Sequence, residues 1–274
     1  MIADKIKLSS GNEIPVLGLG TWQLKGAACR ASVKEAIELG YRHIDTAWAY
    51  DNHTDIAKAI KESGIKRSAL FVTSKVWIEN LRYDEVIKQC NESLKQLNTD
   101  YLNLYLIHWP NKEVPMKETL GAMKKLFHDG KIKAIGVSNF TINHLKEAMS
   151  SVDLPIAVNQ VEFHPYLNQQ DLLNFCKENK ITVTAYSPLA RGDVYNNNFL
   201  KELSDKYRKS IAQITLRWLL QKNIVVIPKA SSKEHLMENM KIFDFDIDKE
   251  DMVKIDELDR MERKINPSFS EFED

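Results

Sequence analysis

The chain has only 3 cysteines, Cys29, Cys90 and Cys176, odd in number and far apart. Disulfide frameworks and zinc clusters need paired or closely spaced thiols, so both are disfavoured. Cys90 and Cys176 fall in helical patterns and read as small buried hydrophobes, and the sparse cysteine usage points to a reducing cytoplasm. The 7 histidines (His43, His53, His108, His128, His144, His164 and His235) show no metal-ligand spacing such as His-Glu-x-x-His, so no metal is expected. Charge of one sign is also missing, because 38 basic and 38 acidic residues give a formal net charge of +0. Neither nucleic acid nor an acidic membrane surface is indicated as a partner, although a local basic pocket stays open. No apolar run approaches the roughly 18 residues that span a bilayer, and residues 1–7 carry no signal-peptide pattern. Finally, Gly18-Leu19-Gly20-Thr21-Trp22-Gln23 has two glycines and then Gln. The Gly-x-Gly-x-x-Gly dinucleotide fingerprint therefore fails, and a Rossmann fold does not follow from it.

What is present suits a large core, with 43% hydrophobic and 28% charged residues in a chain of 274. Short β-rich apolar runs alternate with amphipathic helical runs. Strands are predicted at 16–19, 42–44, 70–72, 102–107, 134–137, 156–161, 181–185 and 224–227. Helices are predicted near 31–39, 55–62, 84–97, 117–128, 142–149, 169–179 and 211–220, with another near 234–240. Gly40 supplies a helix stop before the second strand. Eight strands each followed by a helix is the count of a (β/α)8 TIM barrel, an α/β fold of about 250 residues. Residues 6–14 read as an N-terminal hairpin covering the end opposite the catalytic mouth, and 248–261 as an extra C-terminal helix followed by a polar tail, 266–274. No composition shift marks a second domain, so 1–274 is read as a single domain.

Barrel chemistry collects where strands end. Asp45 follows the second strand with Tyr50 in the same loop, Lys75 follows the third and His108 the fourth. Ser138-Asn139, Gln160 with Glu162, Tyr186-Ser187 and Lys229 follow the next four. A free tyrosine is a poor acid, with a pKa of about 10. A lysine ammonium beside it lowers that value, and a paired Asp keeps the lysine charged. Tyr50 can then give a proton to a developing alkoxide while His108 orients the carbonyl. An acid without an evident nucleophile or metal suits hydride transfer from a bound cofactor.

The strand-end motifs resemble those of the aldo-keto reductase family. They are Gly18-Leu19-Gly20-Thr21-Trp22, Asp45-Thr46-Ala47-Trp48-Ala49-Tyr50, Ser74-Lys75-Val76-Trp77, Ile107-His108-Trp109-Pro110, Gly136-Val137-Ser138-Asn139-Phe140, Asn159-Gln160-Val161-Glu162-Phe163-His164-Pro165, Ala185-Tyr186-Ser187-Pro188-Leu189 and Ile227-Pro228-Lys229. The compact length and short tail look like bacterial-type members that reduce small aldehydes, ketones and diketo compounds, such as diketogluconate or methylglyoxal reductases. The resemblance implies a catalytic tetrad of Asp45, Tyr50, Lys75 and His108, acting on a small carbonyl substrate in a monomeric, cytoplasmic enzyme. It implies NADPH as cofactor. Tyr186 would stack on the nicotinamide, and Ser138, Asn139 and Gln160 would hold its carboxamide. Thr21 and Asp45 would lie along the nicotinamide ribose, with Trp22 also against the cofactor, and Ser187 and Leu189 along the pyrophosphate. Lys229, Ser231 and His235 would meet the 2′-phosphate, and Glu238 and Asn239 the adenine. Trp22, Trp77 and Trp109, with His108, would wall the substrate pocket.

Two departures stand out. Where the family usually has Asn-Glu after the tyrosine, this chain has Asn52-His53, with His53 read as a surface residue at a helix start. Where the family has Ser or Thr after Lys229 and an Arg six residues past it, this chain has Ala230 and His235. An imidazole is only partly charged near neutrality, so NADH joins NADPH as a candidate donor. Two other functions compete. A Schiff-base aldolase would use Lys75 as a neutral nucleophile, and a nucleotide sensor would bind the cofactor without turnover.

Overall fold

The computed structural model describes residues 4–272. Strands β1 (Lys5–Lys7) and β2 (Glu13–Pro15) form an antiparallel hairpin. Its turn is closed by Gly11 at φ 89, the left-handed region that glycine enters without steric cost. Eight parallel strands follow: β3 (Leu19–Gly20), β4 (His43–Asp45), β5 (Phe71–Val76), β6 (Leu104–Ile107), β7 (Ile135–Ser138), β8 (Ile156–Glu162), β9 (Thr182–Tyr186) and β10 (Val225–Val226). Each pairs with the next in chain order. The seam is closed by a parallel bridge between Leu17 and Val226, where Gly18 N donates to Val226 O (2.9 Å) and Gly20 N to Pro228 O (3.2 Å).

The seam explains the Gly18-Leu19-Gly20 motif. A Cβ at Gly20 would stand 2.5 Å from Ile227 O, and one at Gly18 would stand 2.6 Å from the His43 ring. These glycines serve close approach of backbone across the barrel, not a phosphate-binding turn.

The helices are α1 (Gly26–Leu39), α2 (His53–Ser63), α3 (Tyr83–Leu97), α4 (Met116–His128), α5 (Ile142–Ser151), α6 (Gln170–Glu178), α7 (Asn198–Tyr207), α8 (Ile211–Gln221), α9 (Lys233–Met240) and α10 (Lys249–Asp256). Their inward stripes follow the helical period. In α3, for example, Val86, Cys90, Leu94 and Leu97 are buried at three- and four-residue spacing. The main core lies between the sheet and these stripes. A second cluster inside the barrel joins Leu8 and Ile14 of the hairpin to residues at the N-terminal ends of strands, among them Phe71, Leu104, Ala134 and Val225. The hairpin therefore covers the end opposite the strand C-termini, as predicted.

Three features differ from the sequence reading. Helix α7 was not anticipated, because only Leu200 and Leu203 of its 10 residues are buried and so short a stripe carries little periodic signal. The C-terminal helix stops at Asp256 rather than near 261, since the chain then crosses to Tyr166, whose carbonyl accepts from Glu262 N (2.9 Å) and Arg260 N (3.4 Å). Of the expected polar tail 266–274, residues 273–274 lie outside the described residues, and in 266–272 Phe269 and Phe272 pack against Trp109.

Candidate active site

Lys75 sits in β5 with no exposure of its side chain. A buried ammonium is costly unless its protons are matched, and here each of its three donors has an acceptor. They are Asp45 Oδ1 at 2.5 Å, Thr46 O at 3.0 Å and Tyr50 Oη at 3.4 Å. The other Asp45 oxygen accepts from Gln160 Nε2 at 2.7 Å. Because the Tyr50 oxygen accepts from Lys75, its own O–H is left to donate elsewhere. The same saturation opposes a nucleophilic amine, which would need a free lone pair.

The loop carrying Tyr50 is fixed by Asn52, a residue the sequence reading left without a role. Thr46 Oγ1 donates to Asn52 Oδ1 (2.7 Å), and Asn52 Nδ2 donates to Thr21 O and Leu24 O, both at 3.0 Å. Thr21 Oγ1 in turn donates to Asp45 O at 2.9 Å. Its only sequence signal was its place at the end of the Asp45–Tyr50 motif.

The protonation of Tyr50 corrects one expectation. Burial, and next the Asp45 charge, push its pKa well above the ordinary tyrosine value. The expected lowering by Lys75 is outweighed, because removing water from the phenolate costs more than one ammonium returns. Tyr50 therefore stays protonated at neutral pH, the state from which a proton donor starts. Burial also draws Lys75 below its usual value, opposed by Asp45. His108 is driven well below the usual histidine range by burial and then by Lys75, so its imidazole is neutral. It stands edge-on to Tyr50 (5.6 Å between centroids) and Trp77 (5.2 Å).

His53 is not the expected surface residue. It is 1% exposed, with Nδ1 against Gln96 Oε1 (3.2 Å) and Nε2 against Ser74 Oγ (3.1 Å). Burial pushes its pKa down to about 4. A neutral ring thus links α2, α3 and β5 directly behind Lys75.

Asp45, Tyr50, Trp77 and His108 open onto one cavity of about 910 Å³, which Thr21, Trp22, Ser138, Asn139, Gln160, Tyr186, Ser187, Leu189 and Lys229 also line, with the buried Lys75 behind Asp45 and Tyr50. Ser138 Oγ donates to Gln160 O (2.8 Å), Tyr186 Oη to Asn139 Oδ1 (2.7 Å) and Asn139 Nδ2 to His108 O (3.0 Å). Trp77 and Trp109 form one wall, completed by Phe269 at 5.9 and 5.4 Å from them. Trp22, 41% exposed, forms another under the Arg191 guanidinium, 5.2 Å from its ring. Arg191, Tyr195, Ile265 and Phe269 also line the cavity; the segments that carry them have no hydrophobic periodicity. Ser231, His235, Glu238 and Asn239 lie outside this lining, beyond Lys229. Ser231 and His235 are exposed, Ser232 caps α9 by accepting from His235 N (3.3 Å), and Asn239 is 4% exposed. Among the described residues no cluster could hold a metal ion, and no helix is long and apolar enough to cross a membrane.

A tyrosine acid backed by a buried ammonium, beside a neutral imidazole at a barrel mouth, defines an oxidoreductase class that protonates a carbonyl oxygen. The Aldo/keto reductase family matches residues 16–260. A glyoxal reductase of Bacillus subtilis (strain 168) is 46% identical over 263 residues, which cover 96% of this chain and 95% of the relative. A methylglyoxal reductase of Escherichia coli (strain K12) is 38% identical over 97% of both chains. The crystal structure of a Bombyx mori aldo-keto reductase in complex with NADP superposes with a TM-score of 0.92 at 33% identity, covering 97% of this chain and 96% of that one. The chain belongs to the aldo/keto reductase family, and it is a reductase of carbonyl compounds.

The buried imidazoles make stability depend on pH. Burial pushes both His43 and His53 down to about 4, whereas unfolded histidine titrates near 6.5. The unfolded chain therefore binds protons first as pH falls, and stability is lost from about pH 6.5 down to about pH 4. Between pH 7 and pH 5 each ring should cost about 2 kcal/mol. Urea melts at the two pH values should show that loss, to which the buried His108 ring adds in the same direction, and His53→Gln should remove one ring's share of it, about 2 kcal/mol. An unchanged midpoint would contradict the burial of neutral rings.

Proposed function

We propose that this protein reduces small reactive aldehydes and dicarbonyl compounds with NADPH, Tyr50 acting as the acid. The observation that carries the reading is the saturated Lys75, whose three hydrogen bonds fix Tyr50 as a donor facing the cavity. The relatives' activities on glyoxal and methylglyoxal support the substrate class, and the NADP complex of the Bombyx mori enzyme supports the cofactor.

The residues present fit a nicotinamide dinucleotide. The amides of Gln160 and Asn139 and the Ser138 hydroxyl gather on one side of the cavity as a donor and acceptor set for a carboxamide, beside the Tyr186 ring. Cations line it at Arg191 and Lys229. Ser187 and Leu189 would hold the pyrophosphate, with Thr21 and Asp45 along the ribose and Trp22 also against the cofactor. Lys229, Ser231 and His235 would meet the 2′-phosphate at the start of α9, where backbone N–H groups favour anions. Glu238 and Asn239 would border the adenine. When bound, the dinucleotide supplies the hydride. Tyr50 delivers its proton to the carbonyl oxygen, and Lys75 stabilises the resulting phenolate. The neutral His108 offers an N–H donor that orients the carbonyl. Trp22, Trp77 and Trp109 exclude water and present an apolar surface to the substrate. The whole of 1–274 acts as one catalytic domain, a monomer of the cytoplasm; the buried thiols, each pushed up to about 12 by burial, fit a reducing compartment.

Tyr50→Phe keeps the ring and loses the proton. Carbonyl reduction should fall by about 10²–10⁴-fold with cofactor binding nearly intact. A variant keeping more than about a third of the wild-type rate is incompatible with general acid catalysis of this size.

Cofactor choice follows from the exposed His235. Arginine offers a fixed bidentate cation for a phosphate and histidine does not. His235→Arg should tighten NADPH binding by roughly 1–2 kcal/mol and leave NADH unchanged. Dissociation constants for both cofactors check this. An NADPH preference indifferent to both His235→Arg and His235→Ala removes His235 from the site.

A further inference from the structure

We propose that Glu162 is a positioning residue, whose buried carboxylate fixes the C-terminal segment 263–269 as the substrate-facing wall of the cavity. The inference rests on the reading of this cavity as the carbonyl site. Glu162 is the last residue of β8, two beyond Gln160, so the period-two alternation of a strand puts both on one face. Gln160 turns to Asp45. Glu162, a step nearer the mouth, takes no part in the tetrad and is 0% exposed. A carboxylate so placed is very unfavourable unless its oxygens are matched by donors.

The donors come mainly from the distant end of the chain. Oε1 accepts from the backbone N–H of Lys264 at 2.8 Å, and Oε2 from that of Ile265 at 2.9 Å. His164 Nε2 completes the set at 3.0 Å from Oε1, which requires its Nε2–H tautomer. No lysine or arginine side chain forms an ion pair with Glu162 among the described residues. The Lys264 ammonium goes to Asp193 and Glu262, and the Arg263 guanidinium lies 3.7 Å over the Phe272 ring. Two of the three hydrogen bonds to the Glu162 carboxylate thus come from backbone amides, with the Arg263 charge near enough to add to its attraction, and the amide contacts fix where the main chain runs.

The neighbouring loop reinforces the grip. Gln169 Nε2 donates to Glu162 O at 2.7 Å, and Tyr166 O accepts from Glu262 N at 2.9 Å. From Ile265 the chain passes through Pro267 to Phe269, all lining the cavity. Its far fixed point is Glu271, which accepts from Lys112 N (3.0 Å) and contacts His144 Nε2 (3.2 Å). The wall is thus a short strap held at two ends, and Glu162 is the inner one. Weakening it frees Ile265 and Phe269 from the side of the cavity that faces Trp77 and Trp109. A substrate large enough to touch that wall loses contacts, and one too small to reach it loses nothing.

Glu162→Gln tests this in the full chain, because an amide presents a donor where a donor already stands. The KM of a bulky aldehyde such as 4-nitrobenzaldehyde should rise about tenfold, the scale of one charge-assisted hydrogen bond. Its kcat, the KM of glyoxal and the NADPH dissociation constant should stay within about twofold. Amide hydrogen exchange at Lys264 and Ile265 should speed up by about tenfold or more while that of β5 and β6 is unchanged. Glu162→Asp, which keeps the charge and shortens the reach, should give an intermediate effect in both readouts and serves if the amide variant does not fold. Unchanged exchange at Lys264 and Ile265 in the folded variants would overturn the proposal, as would equal KM changes for both aldehydes or a loss confined to kcat. If the wild type reduces neither aldehyde, the carbonyl reading fails, and the exchange data still decide the role of Glu162.

Discussion

An ammonium and a carboxylate buried together at the barrel mouth set the terms for everything around them. Lys75 has no exposed side-chain surface and Asp45 almost none, so each proton and each oxygen must find a partner within the protein. Thr46 turns its carbonyl inward, Gln160 turns its amide toward Asp45, and Tyr50 is drawn in as the third acceptor. Asn52 then holds the Tyr50 loop against the loop that follows β3. Removing one partner would leave an uncompensated charge in a dry interior, which is far more damaging than losing a surface ion pair. The same dryness keeps Tyr50 protonated and His108 neutral. The protonation states of Tyr50 and His108 thus follow from the burial that also encloses the ion pair.

Much of this was legible in the sequence because barrels put chemistry where strands end. Asp45, Lys75, His108, Ser138 and Gln160 each stand at or just after a run of apolar β-formers; all but Lys75 line one cavity, and Lys75 backs it through Asp45 and Tyr50. The failures have physical causes. The direction of the Tyr50 shift depends on how completely water is excluded, which no local pattern records. His53 begins a helix and looks like a solvated residue, yet the close packing of α2, α3 and β5 buries it against Ser74 and Gln96. The tail 266–272 has no periodicity, so Phe269 and Phe272 read as isolated aromatics until the crossing from α10 lays them on Trp109. Helix α7 and the loop before it, with Arg191 and Tyr195, follow the same logic, since too few of their side chains are buried to leave a pattern.

The two ends of the cavity are built differently. Toward Trp77 and Trp109 it is closed by aromatic faces and a strap tied down at Glu162 and Glu271. Toward Lys229 it leads to the exposed start of α9, with Ser231 and His235 at the surface. A closed apolar end favours a small substrate and a water-poor reaction, whereas an open, cationic end favours a phosphate-bearing ligand that must enter and leave. The departure at His235 falls at the open end, far from the buried pair.

The coupling between Lys75 and Tyr50 is the centre of this account, and the pH dependence of alcohol oxidation measures it directly. In that direction Tyr50 must accept a proton, so the profile reports how readily it ionises. Replacing the ammonium in Lys75→Met should move the rising limb of the profile to higher pH and depress activity near neutrality. A limb that stays in place, with activity largely retained, would show that Lys75 does not govern the tyrosine.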